Sequence, residues 1–333
     1  MTIENQTQEE FVIPPQQEIL RSQIRLATRG TYDLQKMRIQ SGNRLGATFR
    51  AKLGLKSSDS EDSDAEAKKI LDSIRLCYEK MTDGVKVTLK KFKGDGVIST
   101  YTEFAIVENY VLLEKAEAEA FKKLKSVVED HPIWDAFLLG VKGCGHAMAA
   151  VIISEFNIYA AKYPSQFHSY AGLDVVIVEE ESSGETYGLG RSRRKELMKE
   201  VEYYDEEGTL QTRMSLGYNP WLKTKLMGVL ADCMIKAKGS YYDVYMNYKH
   251  RISNMPAHEK KTPAHRNMMA KRYMIKQFLI DLHMAWREVE GLPVSVPYHE
   301  GKLGIVHTQK PERQVIKLGG KPRYYTVEKV EKV

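Results

Sequence analysis

"FLLGVKGCGHAMAAVIISEF", residues 137–156, places a glycine-rich turn between two apolar segments. Glycine adopts positive φ at little cost, so the turn can be tight, and a helix that follows it exposes its first backbone amides. Uncovered amides at the positive end of a helix dipole attract anions such as phosphate. The pattern is that of a helix-hairpin-helix, and the residues predicted to approach a phosphate are Lys142, Gly143, Gly145 and His146.

The same turn also occurs as a simple packing corner between two helices. The alanines after the turn allow close helix packing, and Cys144 is then a small buried apolar residue and not a nucleophile. Neither Cys144 nor His146 has a second cysteine or histidine at metal-ligand spacing, so the sequence predicts no metal and no cofactor. The sequence of the turn alone does not decide between a phosphate site and a packing corner.

Composition narrows the class of protein. The 333 residues are enough for two or three domains, and 50 Lys and Arg against 44 Asp and Glu give a net charge of +6, which favours an anionic partner. Three widely spaced cysteines argue against a disulfide framework, and the N-terminus lacks the pattern of a signal peptide. No apolar stretch is long enough for a membrane span, so we expect a cytoplasmic protein without a membrane partner.

Positive charge is concentrated in residues 21–52. Eight Lys and Arg occur there against the single acid Asp33, and apolar residues recur at helical spacing. The segment is predicted to be a basic helix that lines a channel for a nucleic-acid duplex. Its predicted contacts are Arg21, Arg25, Arg29, Arg38 and Arg44.

Two further helices are predicted over residues 64–92 and about 102–129, with the turn "KGDG" between them. Their pattern favours antiparallel, coiled-coil-like packing in a helical arm that mediates dimerisation. The acidic run at 57–67 is interpreted as a solvated loop that caps the next helix.

The remaining chain is predicted to be compact and mainly α-helical. Helices are expected near 146–156, 165–172, 219–238, 241–251 and 263–289, and the mostly polar segment from 175 to 220 is expected to be a long loop. The predicted domains are a disordered tail (1–13), the basic helix and arm (14–130), the compact domain (131–290) and a basic extension with a small β-hairpin (291–333).

Basic residues also recur through the compact domain. Arginines in a glycine-flanked loop can clamp RNA phosphates, and lysines interleaved with tyrosines suit structured or single-stranded RNA, although most of these tyrosines also fit core packing. The predicted nucleic-acid contacts in this half are Arg191, Arg193, Arg194, Lys195, Asn219, Lys223, Lys225, His265, Arg266, Lys271 and Arg272.

The order of these motifs resembles a known group of proteins. The similar segments are "GVKGCGHAMAAVIISEF", "FHSYAGLDVV", "SSGETYGLGRSRR", "GYNPWLKTKLMGVLADCMIKA" and "YYDVYMNYKHR". Together they resemble the C-terminal half of the bridge-RNA-guided insertion-sequence transposases and the related Nop domain of box C/D ribonucleoproteins. The basic helix is similar to the one that follows the nuclease domain in those transposases, and the resemblance covers roughly residues 14–290.

The chain departs from the transposases at its N-terminal end, where about 15 polar residues stand in place of a RuvC-like nuclease. It is therefore similar to the nuclease-free Tas proteins of tandem interspaced guide RNA (TIGR) systems. That resemblance implies a homodimeric ribonucleoprotein that holds a short guide RNA, which pairs with target DNA.

Two alternatives remain. In the transposases, a serine after the "YAGL" helix is the strand-transfer nucleophile, and Ser182 or Ser183 stands at the matching place. The neighbouring acids would repel a scissile phosphate, so Ser183 is a weak candidate for a strand-transfer enzyme that works with a separate nuclease. The other alternative is a helix-hairpin-helix protein that binds DNA without a guide.

Overall fold

The computed structural model describes residues 15–52, 63–83, 85–179, 186–194 and 197–294. These residues are mainly helical and include two small antiparallel sheets of two strands each, which confirms the predicted mainly-α class. The predicted disordered tail and C-terminal hairpin lie outside the described residues. The chain divides into two compact units, one formed by residues 26–126 and the other by residues up to Arg25 together with those from Val127 onward.

Three helices supply the unit of residues 26–126: α1 (Pro15–Lys52), α2 (Ser63–Thr82) and α3 (Tyr101–Glu129). Ion pairs join Arg38 to Glu117 and Lys52 to Glu103, the latter at 2.8 Å, so α1 and α3 run antiparallel. The three helices bury a shared apolar core that includes Leu45, Phe49, Ile74, Phe104, Val107 and Val111. Removal of these side chains from water is the main stabilising contribution in this unit.

Helix α2 ends at Thr82, ten residues before its predicted end at 92, so that boundary was wrong. An Asp-Gly pair follows the helix in the sequence, and the segment after it carries Val85, Val87 and Thr88. Turn residues and β-branched residues both disfavour continuation of a helix.

The predicted "KGDG" turn is confirmed, and local side chains fix it. Asp95 Oδ1 accepts hydrogen bonds from the amides of Val97 (2.7 Å) and Ile98 (2.8 Å). Helix α3 then begins with a capping box, in which Thr100 Oγ1 accepts from the amide of Glu103 and the Glu103 carboxylate accepts from the amide of Thr100. The sequence motif "TYTE" therefore sets the start of α3.

The second unit contains seven described helices, and the five predicted for it are confirmed within a few residues. The seven helices are α4 (Pro132–Ala136), α5 (His146–Glu155), α6 (Pro164–Tyr170), α7 (Pro220–Lys225), α8 (Ala231–Ala237), α9 (Ser240–Ser253) and α10 (Pro263–Val289). One π-helical turn, Leu226–Leu230, joins α7 to α8. Helix α10 packs against α4, α6, α8 and α9, and its buried face includes Met274, Phe278 and Leu282.

The segment predicted as a long polar loop instead contains two β-hairpins. Strands β1 (Val175–Glu179) and β2 (Thr186–Gly190) pair antiparallel, as do β3 (Met198–Tyr204) and β4 (Leu210–Leu216). The second hairpin turns at Asp205, whose Oδ1 accepts from the amide of Thr209 at 2.8 Å. The loop prediction was wrong because β3 and β4 expose most side chains on both faces, so no regular apolar alternation marks them.

The glycine-rich turn connects to α5 and packs on α8. Gly143 has φ +93°, and a Cβ there would lie 2.7 Å from backbone atoms of Cys233 and Met234. Gly145 has φ −80° and open space at its Cβ position, so the expected positive φ is present at Gly143 and absent at Gly145. Cys144 is buried, as predicted. The turn is thus a close-packed corner whose one indispensable glycine is Gly143.

This corner gives the first testable prediction. Gly143→Ala should lower the free energy of unfolding by about 2–4 kcal/mol, because a left-handed backbone and overlap with α8 both disfavour a side chain. Gly145→Ala is the matched control and should cost at most about 1 kcal/mol, the penalty for losing a glycine N-cap. Urea unfolding of both variants tests this, and equal losses would contradict the assignment.

Candidate nucleic-acid interface

In the second unit, Arg191 forms an ion pair with Asp174, and three further basic side chains interact electrostatically with the same carboxylate. Asp174 lies between α6 and β1, Arg191 follows β2, and Lys223 is on α7. Arg272 and Lys276 lie one turn apart on α10. We call these four basic residues, grouped about Asp174, the cation cluster.

Arg191 is fixed by a two-pronged ion pair. Its Nε lies 3.0 Å from Asp174 Oδ1 and its Nη2 lies 3.0 Å from Oδ2, and the Arg191 side chain is 10% exposed. The Lys223 ammonium donates to the Arg191 carbonyl oxygen at 2.5 Å and lies 5.0 Å from the centre of the Tyr218 ring. The guanidinium and the ammonium are therefore held in place by contacts within the protein.

Two glycines make room for the guanidinium groups. A Cβ at Gly190 would lie 2.7 Å from Arg272 Nη1, and a Cβ at Gly217 would lie 2.9 Å from Arg191 Nη1. The arginines thus lie directly against the backbone at the end of β2 and after β4.

The charges of the cluster are only partly compensated. Burial lowers the pKa of Lys223, Arg272 and Lys276, and repulsion from Arg272 lowers the pKa of both lysines further. The Asp174 charge acts in the opposite direction on all three pKa values. Arg272 Nε is buried and has no hydrogen-bond acceptor among the described residues. Such a group favours an anion that supplies the missing negative charge and acceptors.

A buried histidine ties the cluster to the core. His168 Nε2 donates to the carbonyl oxygen of Lys276 at 3.1 Å. Burial, with a smaller effect from the Lys276 charge, lowers the pKa of His168 to about 4, so the ring is neutral at pH 7. The contact links α6 to the stretch of α10 that carries the two basic residues.

The other predicted residues on α10 have different environments. Lys271 forms an ion pair with Asp232, and Arg266 Nη1 donates to the carbonyl oxygen of His258 at 3.3 Å. His265 is exposed, and its amide donates to the N-cap residue Thr262. These three residues are therefore separate from the cation cluster.

Two of the predicted residues near α7, Asn219 and Lys225, also have contacts outside the cation cluster. Asn219 caps α7 by accepting from the amide of Leu222 at 3.0 Å, and its Nδ2 donates to buried Glu155 at 2.6 Å. These two hydrogen bonds give Asn219 a structural role, because they fix the start of α7. The Lys225 ammonium lies 5.6 Å from the centre of the Trp221 ring.

Two more of the predicted arginines come shortly after Arg191 in the chain. Arg193 and Arg194 are exposed, next in the chain to the anchored Arg191. The predicted contact Lys195 and the candidate nucleophile Ser183, with its neighbour Ser182, lie outside the described residues.

The predicted basic helix uses several of its cations within the protein. Arg25 Nε lies 3.5 Å from buried Glu155, and Arg38 pairs with Glu117. Arg21 and Arg29 are partly buried and have interaction partners, while Arg44 is exposed. Of these predicted contacts, Arg25 and Arg44 are exposed, whereas Arg38 is committed to Glu117.

At the glycine-rich turn, a carboxylate pairs with the predicted phosphate contact His146. His146 Nε2 lies 2.9 Å from Glu129 Oε1, and the His146 ring stacks on Trp134 with the ring centres 4.4 Å apart. Lys142 is exposed. The negative charge of Glu129 beside the first turn of α5 disfavours a phosphate there.

Sequence reasoning missed Asp174 as the organising carboxylate and did not include Lys276 among the predicted contacts. Lys276 stands four residues after Arg272, a spacing that places both on one face of a helix, and this was the available signal. The described part of the chain contains no group of three or more histidine, cysteine or acidic side chains placed to hold a metal ion. It also contains no helix long and apolar enough to cross a membrane.

No protein family, curated protein or solved structure matches this chain.

Buried histidines give a prediction about pH. Burial lowers the pKa of His131, His168 and His283 from an ordinary value of 6.5 to about 4 in the folded chain. Between pH 6.5 and 4 the unfolded chain binds protons that the folded chain does not, so stability falls as the pH falls through this window and is unaffected by these groups above it.

His168→Gln should reduce the pH dependence of the unfolding free energy by up to one proton, about 1.4 kcal/mol per pH unit. Glutamine keeps an N–H donor for the Lys276 carbonyl oxygen. Urea unfolding between pH 7.5 and 4.5 measures the slope, with His265→Gln, at an exposed site, as the control. Identical slopes for the two variants would contradict the burial argument.

Proposed function

We propose that this chain binds a structured RNA and that the cation cluster contacts an RNA phosphate. The observation that carries the proposal is the cluster itself: Arg191, Lys223, Arg272 and Lys276 share one carboxylate, Asp174. Holding partly buried cations together without matching acids lowers stability, so the arrangement is best explained by an anionic ligand.

RNA is the preferred nucleic acid for two reasons. The sequence resembles the nuclease-free Tas proteins, which implies a homodimer that holds a short guide RNA for pairing with target DNA. The basic residues are also interleaved with aromatic rings, as at Lys223 with Tyr218 and at Arg251 with Tyr248, where the guanidinium carbon lies 4.8 Å from the ring centre. This combination is typical of proteins that bind unpaired or structured RNA. In this role the RNA reads sequence and the protein contacts backbone and shape.

The two alternatives have less support. The strand-transfer enzyme depends on Ser183, which lies outside the described residues. The unguided DNA-binding protein depends on phosphate contact at the glycine-rich turn, where Glu129 pairs with His146. The cation cluster supports the RNA-binding part of the proposal, and the sequence resemblance supports the guide-RNA part.

Sequencing the nucleic acid that co-purifies with the protein from its native host separates these functions. The proposal predicts one defined short RNA species, enriched over total RNA. A random sample of host RNA, or DNA without RNA, would contradict it. The alternatives predict DNA or no defined nucleic acid.

A salt titration tests whether the cluster is the contact. Lys276→Gln should weaken RNA binding and reduce the slope of log affinity against log salt concentration by about 0.7–1, because one phosphate contact is lost. Lys260→Gln, at an exposed lysine, removes the same charge outside the cluster and should leave the slope nearly unchanged. Fluorescence anisotropy between about 50 and 300 mM salt measures both slopes. Equal slopes in the two variants would show that the cluster is not the contact.

A further inference from the structure

We propose that the cation cluster holds a terminal phosphomonoester of the bound RNA, the phosphate at one chain end, and not an internal phosphodiester. This inference rests on the proposed RNA-binding function and names the group that the site recognises. It predicts that the protein distinguishes RNA ends by their phosphorylation state.

The excess positive charge of the cluster favours a phosphomonoester over a phosphodiester. The cluster has four basic groups and one carboxylate, a difference of three positive charges between the groups named here (4 − 1). An internal phosphodiester carries one negative charge, whereas a phosphomonoester carries about 1.5 to 2 at neutral pH. Because the groups are partly buried, solvent screens the excess charge poorly, and the more highly charged anion gains more from it.

The donors in the cluster also match the acceptors of a monoester. Arg272 Nε is buried and lacks an acceptor among the described residues. The Lys223 ammonium has a hydrogen bond to the Arg191 carbonyl oxygen and can donate two more. A phosphomonoester presents three terminal oxygens to such donors, and an internal phosphodiester presents two.

Burial and anchoring favour one chain end over a continuing backbone. The cluster is assembled from separate segments: Arg191 after β2, Lys223 on α7, and Arg272 and Lys276 on α10. The Arg191 side chain is 10% exposed, and the other three are partly buried. An internal phosphate enters with a nucleotide on each side, whereas a terminal phosphate enters with one, so a partly buried group of donors suits the terminus. Cations that follow a duplex backbone are instead exposed and arranged in rows.

The experiment compares one RNA sequence in three forms, with a 5′-phosphate, with a 3′-phosphate, and with hydroxyl groups at both ends. Each RNA carries the same internal fluorophore, and the full-length protein is freed of nucleic acid beforehand. Anisotropy should show about tenfold tighter binding of one phosphorylated form, the gain expected for a charge-assisted contact. The form preferred identifies whether the 5′ or the 3′ end occupies the cluster.

Variants assign the preference to the cluster. Lys276→Gln should reduce the advantage of the phosphorylated RNA to less than about threefold, and Lys260→Gln should keep it, since one cluster donor is lost only in the former. Circular dichroism verifies folding, and Arg272→Lys, which keeps the charge but loses the planar fork, provides a second variant if Lys276→Gln unfolds.

Two results on the wild-type protein separate this inference from the proposed function. If all three RNAs bind equally well, the phosphomonoester inference is overturned and the RNA-binding function stands. If none of them binds, the proposed function fails as well. A terminal preference that Lys276→Gln and Arg272→Lys both leave intact would place the site elsewhere and overturn the assignment to the cluster.

Discussion

The ion pair between Asp174 and Arg191 determines how the candidate site is organised. It joins the turn before β1 to the residue after β2, and the Arg191 carbonyl oxygen in turn accepts from the Lys223 ammonium on α7. One carboxylate thus connects the first hairpin to the helical core through two successive contacts. Asp174 also offsets part of the lowering that burial and Arg272 impose on the pKa of Lys223 and Lys276, so it supports their charged forms while leaving an excess of positive charge. Position and charge of the cluster therefore have the same origin.

Helix α10 makes this arrangement possible because it has a buried apolar face and also carries two basic residues of the cluster. Met274 and Phe278 are fully buried and anchor the helix among its neighbours, while Arg272 and Lys276 carry charge toward Asp174. The hydrogen bond from His168 to the Lys276 carbonyl oxygen fixes the backbone at this level. A helix held by a large apolar face can keep partly buried cations in place, because the free energy of apolar burial exceeds the cost of their incomplete compensation.

Much of the helical fold could be predicted from the sequence, because apolar spacing and caps such as Thr100 and Asn219 encode helices locally. The hairpins could not be, since β3 and β4 lack a buried face and therefore an alternating pattern. The site was only partly predictable for a related reason. Arginines and lysines in the sequence indicate affinity for anions. Which of them lie close together in the fold depends on contacts between distant segments, such as Arg191 with Asp174. The composition thus indicated affinity for an anion, and tertiary packing determines which basic residues form the cluster.

The glycine-rich turn shows how strongly local context determines the role of a motif. Its sequence is compatible with phosphate binding, yet Gly143 is needed for close packing on α8, and Glu129 places a negative charge beside His146 at the start of α5. A helix N-terminus carries about half a unit of positive charge, which one nearby carboxylate can cancel. The cation cluster has the opposite balance, because Asp174 compensates only part of the surrounding charge. On electrostatic grounds the cluster is therefore a better candidate anion site than the turn.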